Sequence, residues 1–152
     1  MWLAWEKIED MKYLTFALIG ATLIFSGCAV EGCTDPNAVN FNSDATDNDG
    51  SCNYSGEVVF WYGQEVAEAK SPFATSYTFY VDNEVVGSQA VSTYWSGAPD
   101  CGQNATITVT KDLGISTIYP AVYEVVDDAG YTVWSGIVNF QANTCVSFEL
   151  TL

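Results

Sequence analysis

Residues 57–152 form a succession of seven short runs rich in β-branched and aromatic side chains: 57–63, 76–82, 84–91, 105–110, 118–127, 131–140 and 145–152. Strict alternation is legible in several. Tyr77, Phe79 and Val81 fall on one face of their run; Ile107 and Val109 lie opposite Thr106, Thr108 and Thr110; Val146, Phe148 and Leu150 lie opposite Ser147, Glu149 and Thr151. A period of two with one apolar side is the mark of a half-buried strand. Asp82-Asn83, Asp127-Asp128-Ala129-Gly130 and Gln141-Ala142-Asn143-Thr144 separate the runs with residues that favour turns. Only 64–70, QEVAEAK, is helix-like. Seven short strands in about a hundred residues predict an all-β domain over 55–152, a seven-stranded antiparallel β-sandwich.

Charge and composition exclude whole classes of function. The 152 residues carry 19 acidic side chains against four lysines and arginines combined, a formal charge of −15. Such a chain is repelled by phosphate backbones, so nucleic acid is not an expected partner. Hydrophobic residues make up 49% of the chain, enough for a packed core, so disorder is rejected for most of it. Histidine is absent, which removes Ser-His and Cys-His catalysis. Asp127 and Asp128 before Gly130 read as turn formers, and Glu65 and Glu68 as solvated charge. No carboxylate pair has a spacing that demands acid–base work, and the chain is not expected to be an enzyme.

The stretch from Met11 to Cys28, MKYLTFALIGATLIFSGC, has one lysine, an apolar run over 14–25 too short to span a bilayer comfortably, and two small residues before a cysteine. It resembles the signal peptide and lipobox of bacterial lipoproteins of the Bacteroidota type, with Phe25 where leucine is usual. The alternatives are an ordinary signal peptide or a membrane anchor. The resemblance implies removal of residues 1–27, lipidation (palmitate among the acyl groups) of Cys28, and tethering to a membrane. Acidic residues in 1–10 do not suit a signal segment, so translation is expected to start at Met11. Ala29 after the cysteine favours the outer membrane, and Glu31 and Asp35 nearby point to the cell surface. From Cys28 onward, 16 acidic residues face two lysines, a charge of −14.

With Cys28 lipidated, Cys33, Cys52, Cys101 and Cys145 remain, an even number in an exported chain. Four cysteines allow three connectivities; sequence order favours Cys33–Cys52 and Cys101–Cys145.

Residues 32–52, GCTDPNAVNFNSDATDNDGSC, are crowded with aspartate and asparagine. Asp47, Asp49 and Gly50 match the middle of a calcium loop. In that register Ala45 stands at position one and Gly56 at position 12, so this is no EF-hand; an irregular calcium site on Asp44, Asp47 and Asp49 stays open beside a disulfide-clasped spacer. Cys33, Thr34, Asp35, Pro36, Ala38, Asn40, Phe41, Asn42, Ala45, Thr46, Asp49, Gly50, Ser51, Cys52 and Tyr54 together resemble a short cysteine-bracketed module of exported and surface proteins, with Ser43 where that module has proline. The resemblance implies a clasped surface module over 28–54 and no activity. Phe41 and Tyr54 offer it a very small apolar centre, so its disulfide has to hold it.

The remainder, from Pro99-Asp100-Cys101-Gly102 to Trp134-Ser135-Gly136 and Cys145, resembles prealbumin-like and immunoglobulin-like sandwiches of bacterial surface proteins. That resemblance supports a Cys101–Cys145 staple. Tyr94 and Trp95 lie in a loop region, and with Trp61 they make either a ligand platform or a cap on the β domain. The functional expectation is a noncatalytic, lipid-anchored envelope module that binds a protein partner or plays a structural part. The alternatives are a carbohydrate-binding module using the loop aromatics and a calcium-dependent adhesin.

Overall fold

A computed structural model of the chain describes residues 27–70 and 74–152. The apolar leader up to residue 26, and with it the expected start at Met11 and the signal-peptide helix, lies outside the described residues. From Glu31 to Leu152 the chain forms one compact unit. Its elements are β1 (Glu31–Gly32), β2 (Asp47–Asn48), β3 (Tyr54–Trp61), α1 (Gln64–Lys70), β4 (Ser76–Val81), β5 (Glu84–Ala90), β6 (Ile107–Gly114), β7 (Ile118–Asp127), β8 (Thr132–Gln141) and β9 (Cys145–Glu149). Among the described residues no helix is long and apolar enough to cross a membrane.

The chain is mostly β, as its alternation predicts. Strands β1 and β2 make a two-stranded parallel ribbon, β6-β3-β9 a three-stranded sheet, and β5-β4-β7-β8 a four-stranded sheet. Tyr77, Phe79 and Val81 are buried, and so are Ile107 and Val109, each on the expected face. Asp82 and Asn83, at φ of 50° and 66°, form the two-residue turn between β4 and β5. Both positions need the left-handed region, which Asp and Asn tolerate better than other non-glycine residues.

The inner side chains of the two larger sheets meet in one core. Phe60 of β3 packs on Phe79 of β4 and Tyr123 of β7, with ring centroids 5.8 and 5.6 Å apart. Tyr62 stacks on Trp134 of β8 at 5.8 Å, and Phe148 of β9 meets Tyr123 at 5.1 Å. Aromatic side chains supply most of the buried area of such a core. Gly136 faces Tyr123 directly: a Cβ there would sit 3.0 Å from the ring, so the absence of a side chain makes room for it.

One feature departs from the expected all-antiparallel arrangement, and one strand from its expected length. Strand β9 pairs with β3 in parallel, Val58 opposite Val146 and Phe60 opposite Phe148. The 141–144 turn therefore does not close a hairpin; it carries the chain from the four-stranded sheet to the three-stranded one. Asn143 N–H donates to Ser55 O at 2.8 Å and Glu57 N–H to Thr144 O at 3.0 Å, which fastens this crossing onto β3. Strand β6 also runs four residues past 110, to Gly114. Lys111 and Asp112 interrupt the apolar pattern there because they sit on a sheet edge, where charge is solvated.

Candidate functional site

Two disulfides join Cys33 to Cys52 and Cys101 to Cys145, the pairing that sequence order favours. Cys28 is exposed and outside any disulfide.

The first disulfide is the centre of residues 31–54. Cys33, Cys52 and Ala38 are buried together, with Tyr54 packed against them. Phe41, read from sequence as half of that centre, is 44% exposed instead. The small centre is made by the disulfide and Ala38 with Tyr54, not by Phe41. The polar residues are spent on the backbone. Asp35 Oδ1 accepts Asn37 N–H, Asn42 Oδ1 accepts Asp44 N–H, Asn48 Oδ1 accepts Gly50 N–H, and Asp49 Oδ1 accepts Ser51 N–H, each at 2.9 to 3.0 Å. Asn40 reaches further, donating to Ser51 O at 2.7 Å and accepting Asn53 N–H at 2.8 Å. These are the turn-forming habits of Asx side chains. Tyr54 Oη donates to Asp35 Oδ2 at 2.7 Å. The Asn37 backbone and then Tyr54 hold the Asp35 carboxyl below the usual carboxylate range, and the same bond pushes the Tyr54 phenol up.

Asp44, Asp47 and Asp49 are all exposed, and Asp47 lies in β2, paired with Glu31. Among the described residues no three acidic, cysteine or histidine side chains converge as a metal site would require. Asp44 in its turn, Asp47 in β2 and Asp49 just beyond it are each exposed, and they do not form such a cluster.

The second disulfide pins a long connection, residues 91–106, across the outer face of the three-stranded sheet. Val58 and Phe60 point into the core, so Glu57, Val59 and Trp61 point the other way. In that outer row Val59 lies between Thr108 and Ser147. Gly102 N–H donates to Thr108 Oγ1 at 2.9 Å and Ser147 Oγ to Pro99 O at 3.4 Å. The connection therefore crosses over Val59, which is fully buried although it faces away from the core. Trp95 N–H donates to Tyr62 O at 3.0 Å, fixing where the strap begins.

The loop aromatics separate by this arrangement. Trp61 and Trp95 are half-buried, and neither indole N–H reaches a protein acceptor. Tyr94 is the exposed member, at 43%. It stands at the lip of an open cleft of about 540 Å³, floored by Ala67, Ala74 and Val91 and edged by Glu68, Thr75 and Ser92. Asp128, 53 residues further along the chain, holds Thr75 in place at the edge of this cleft. Its carboxylate accepts Thr75 N–H at 3.1 Å and Thr75 Oγ1–H at 2.7 Å. Those bonds keep the Asp128 carboxyl below its ordinary range. The sequence marks Asp128 as a turn former but carries no sign of this reach, since no local pattern encodes it. Asp127 does serve its turn, accepting Ala129 and Tyr131 N–H on Oδ1. Lys70 projects over the Trp134 ring, 6.0 Å from its centroid.

A third cluster has no signal in the sequence. Lys111 Nζ bonds Asp82 Oδ2, and Lys111 also lies 5.0 Å from the centroid of the Tyr119 ring. Tyr119 Oη donates to the same oxygen at 3.3 Å, and Val122 N–H to Asp82 Oδ1 at 3.1 Å. Lys111 beside it holds the Asp82 carboxyl below its usual range, and Asp82 raises the Lys111 ammonium. Both groups stay ionised at neutral pH, which makes this a structural tie between the β4–β5 turn, β6 and β7.

No family model, curated protein or solved structure matches the chain.

Proposed function

We propose that the chain is a lipid-anchored, exported envelope protein whose two larger sheets form a β-sandwich, displayed through the clasped module as a noncatalytic binding or structural unit at the outer membrane or cell surface. The observation that carries this reading is the division among the five cysteines. Four are paired, while Cys28 is exposed and unpaired at the position where the leader would be cut. Two disulfides fit an oxidising, exported setting. An acyl-bearing cysteine ahead of a disulfide-held unit fits a tether. Expression in a bacterial host fed radiolabelled palmitate tests it. Wild type is expected to take up label and fractionate with membranes, and Cys28→Ala to lose both. An unlabelled wild type, or full membrane retention of the variant, overturns lipidation.

The cleft beside Tyr94 favours a second reading, a site for a glycan. An exposed ring beside hydroxyl and carboxylate groups over an apolar floor suits one face of a sugar. A glycan screen with Tyr94→Ala as control decides it. Binding lost in the variant supports the site, and no binding to any glycan rejects it.

A further inference from the structure

The four-stranded sheet ends in β8, a ten-residue strand that pairs only with β7 among the described residues. Exposed strand edges template association, and proteins blunt them with charge, proline, bulges or covers. The other sheet margins are blunted in these ways. Strand β5 begins at Glu84 and is bulged opposite the Phe79–Tyr80 step; β6 carries Lys111 and Asp112; β9 carries Glu149 and is stapled to the strap through Cys145. Strand β8, TVWSGIVNFQ, has neither charge nor proline. Its pairing shifts register near Val133 and then runs unbroken from Trp134 to Gln141, a length of about 27 Å.

We propose that β8 is a self-association edge, on which a second copy of the chain adds its own β8 antiparallel about a two-fold axis at Ile137. Self-complementarity is the first ground. That register sets Ile137 against its counterpart, Ser135 against Asn139, Trp134 against Phe140 and Gly136 against Val138, so outward residues meet outward ones and each inner pair is apolar. Ile137 is 65% exposed, and its neighbour on β7 is Val122, 57% exposed. The two-fold extends these into one apolar row, Val122–Ile137–Ile137–Val122, across the joined sheets. Charge is the second ground. Two copies of so acidic a chain repel wherever they present carboxylates. The neutral β8 is where they approach at least cost. The acid closest in register, Glu124 opposite Ser135, lies one strand in and accepts Thr132 Oγ1–H at 2.6 Å. The pairing is isologous, so it closes at two copies.

Two measurements on the full chain test this. In the first, single cysteines are placed at Ile137, Ile118 and Val85, all exposed, and membranes are oxidised. Residues opposite one another in antiparallel strands stand about 4.5–5.5 Å apart at Cα, within disulfide reach. Ile137→Cys is expected to give a covalent dimer, while Ile118→Cys and Val85→Cys do not. Equal cross-linking at all three, or none at 137, overturns the register. In the second, sedimentation equilibrium is run in density-matched detergent with micelles in excess. A wild-type dimer weakened at least about tenfold by Ile137→Lys, which buries two like charges, is expected. A monomeric wild type, a dimer indifferent to the lysine, or open-ended aggregates overturn the proposal.

Discussion

Gly56 shows how much can turn on one missing side chain. It lies in β3 where the crossing from β8 to β9 passes over, and a Cβ there would stand 2.5 Å from the Gln141 carbonyl oxygen. That neighbour is backbone and cannot rotate away. Gly56→Ala is therefore expected to destabilise the protein by about 1–3 kcal/mol in denaturant melts. Asp82 is a different case, in which charge and backbone coincide. Its φ of 50° suits asparagine as well as aspartate, so Asp82→Asn removes the charge and keeps the turn. A carboxyl held low by Lys111 contributes stability that is present above its unfolded value, near 4, and fades as pH falls through its folded value. The raised Lys111 limits the same tie at the alkaline end, where it is lost as pH rises through the ammonium's folded value. Asp82→Asn is expected to cost about 1 kcal/mol at neutral pH, and the gap from wild type to close as pH falls through the lowered folded value of the carboxyl. A gap unchanged with pH would mean that the turn, not the charge, was lost. Tyr62 adds an alkaline limit of its own: burial pushes its phenol up to about 12, so the stability of its neutral form is lost as pH rises from the ordinary tyrosine value toward 12.

Each disulfide supports a different kind of element. Residues 31–54 have little centre beyond Cys33, Cys52 and Ala38, so sulfur replaces the apolar core that so short a segment lacks. Replacing Cys33 and Cys52 by serine is expected to cost about 3 kcal/mol and to open this segment to proteolysis while the two larger sheets keep their circular dichroism. Cys101–Cys145 closes a longer loop and holds the strap against a sheet that is already formed. Its removal is expected to cost about 4 kcal/mol and to raise hydrogen exchange at Val59, the residue that the strap buries. Exchange at Val59 unchanged in the double serine variant would show that Gly102–Thr108 and Pro99–Ser147 hold the strap without sulfur. Strand placement was legible from period and turn chemistry, because each strand writes its buried face into alternate residues. The partner of β9 was not, because a turn such as Gln141–Thr144 reads the same whether the chain folds back or crosses to the facing sheet.

At the scale of the whole molecule, many acidic side chains among the described residues serve turns, and no three of them gather as a metal site would require. Asp35, Asp49, Asp127 and Asp128 each accept backbone N–H groups. Calcium titration by calorimetry on the oxidised protein is expected to give no saturable heat, and Asp49→Ala to match wild type. A micromolar isotherm lost in that variant would restore an irregular calcium site. Salt is expected to stabilise the fold modestly and without ion specificity, by screening its self-repulsion.

The sequence alone determined the strand-forming runs, the acidic character and the lack of histidine chemistry, because period, charge and composition are local or additive properties; it favoured one cysteine pairing of three, and the fold fixed that pairing. The sequence also marked Tyr94, Trp95 and Trp61 as a group without showing that Tyr94 alone stands exposed at a cleft. Tertiary structure decided that, along with the parallel seat of β9, the burial of Val59 under the strap, the outward turn of Phe41, the reach of Asp128 to Thr75 and the meeting of Lys111 with Asp82. Each depends on which segments the fold brings together across tens of residues, and no period or spacing within a single segment records that proximity.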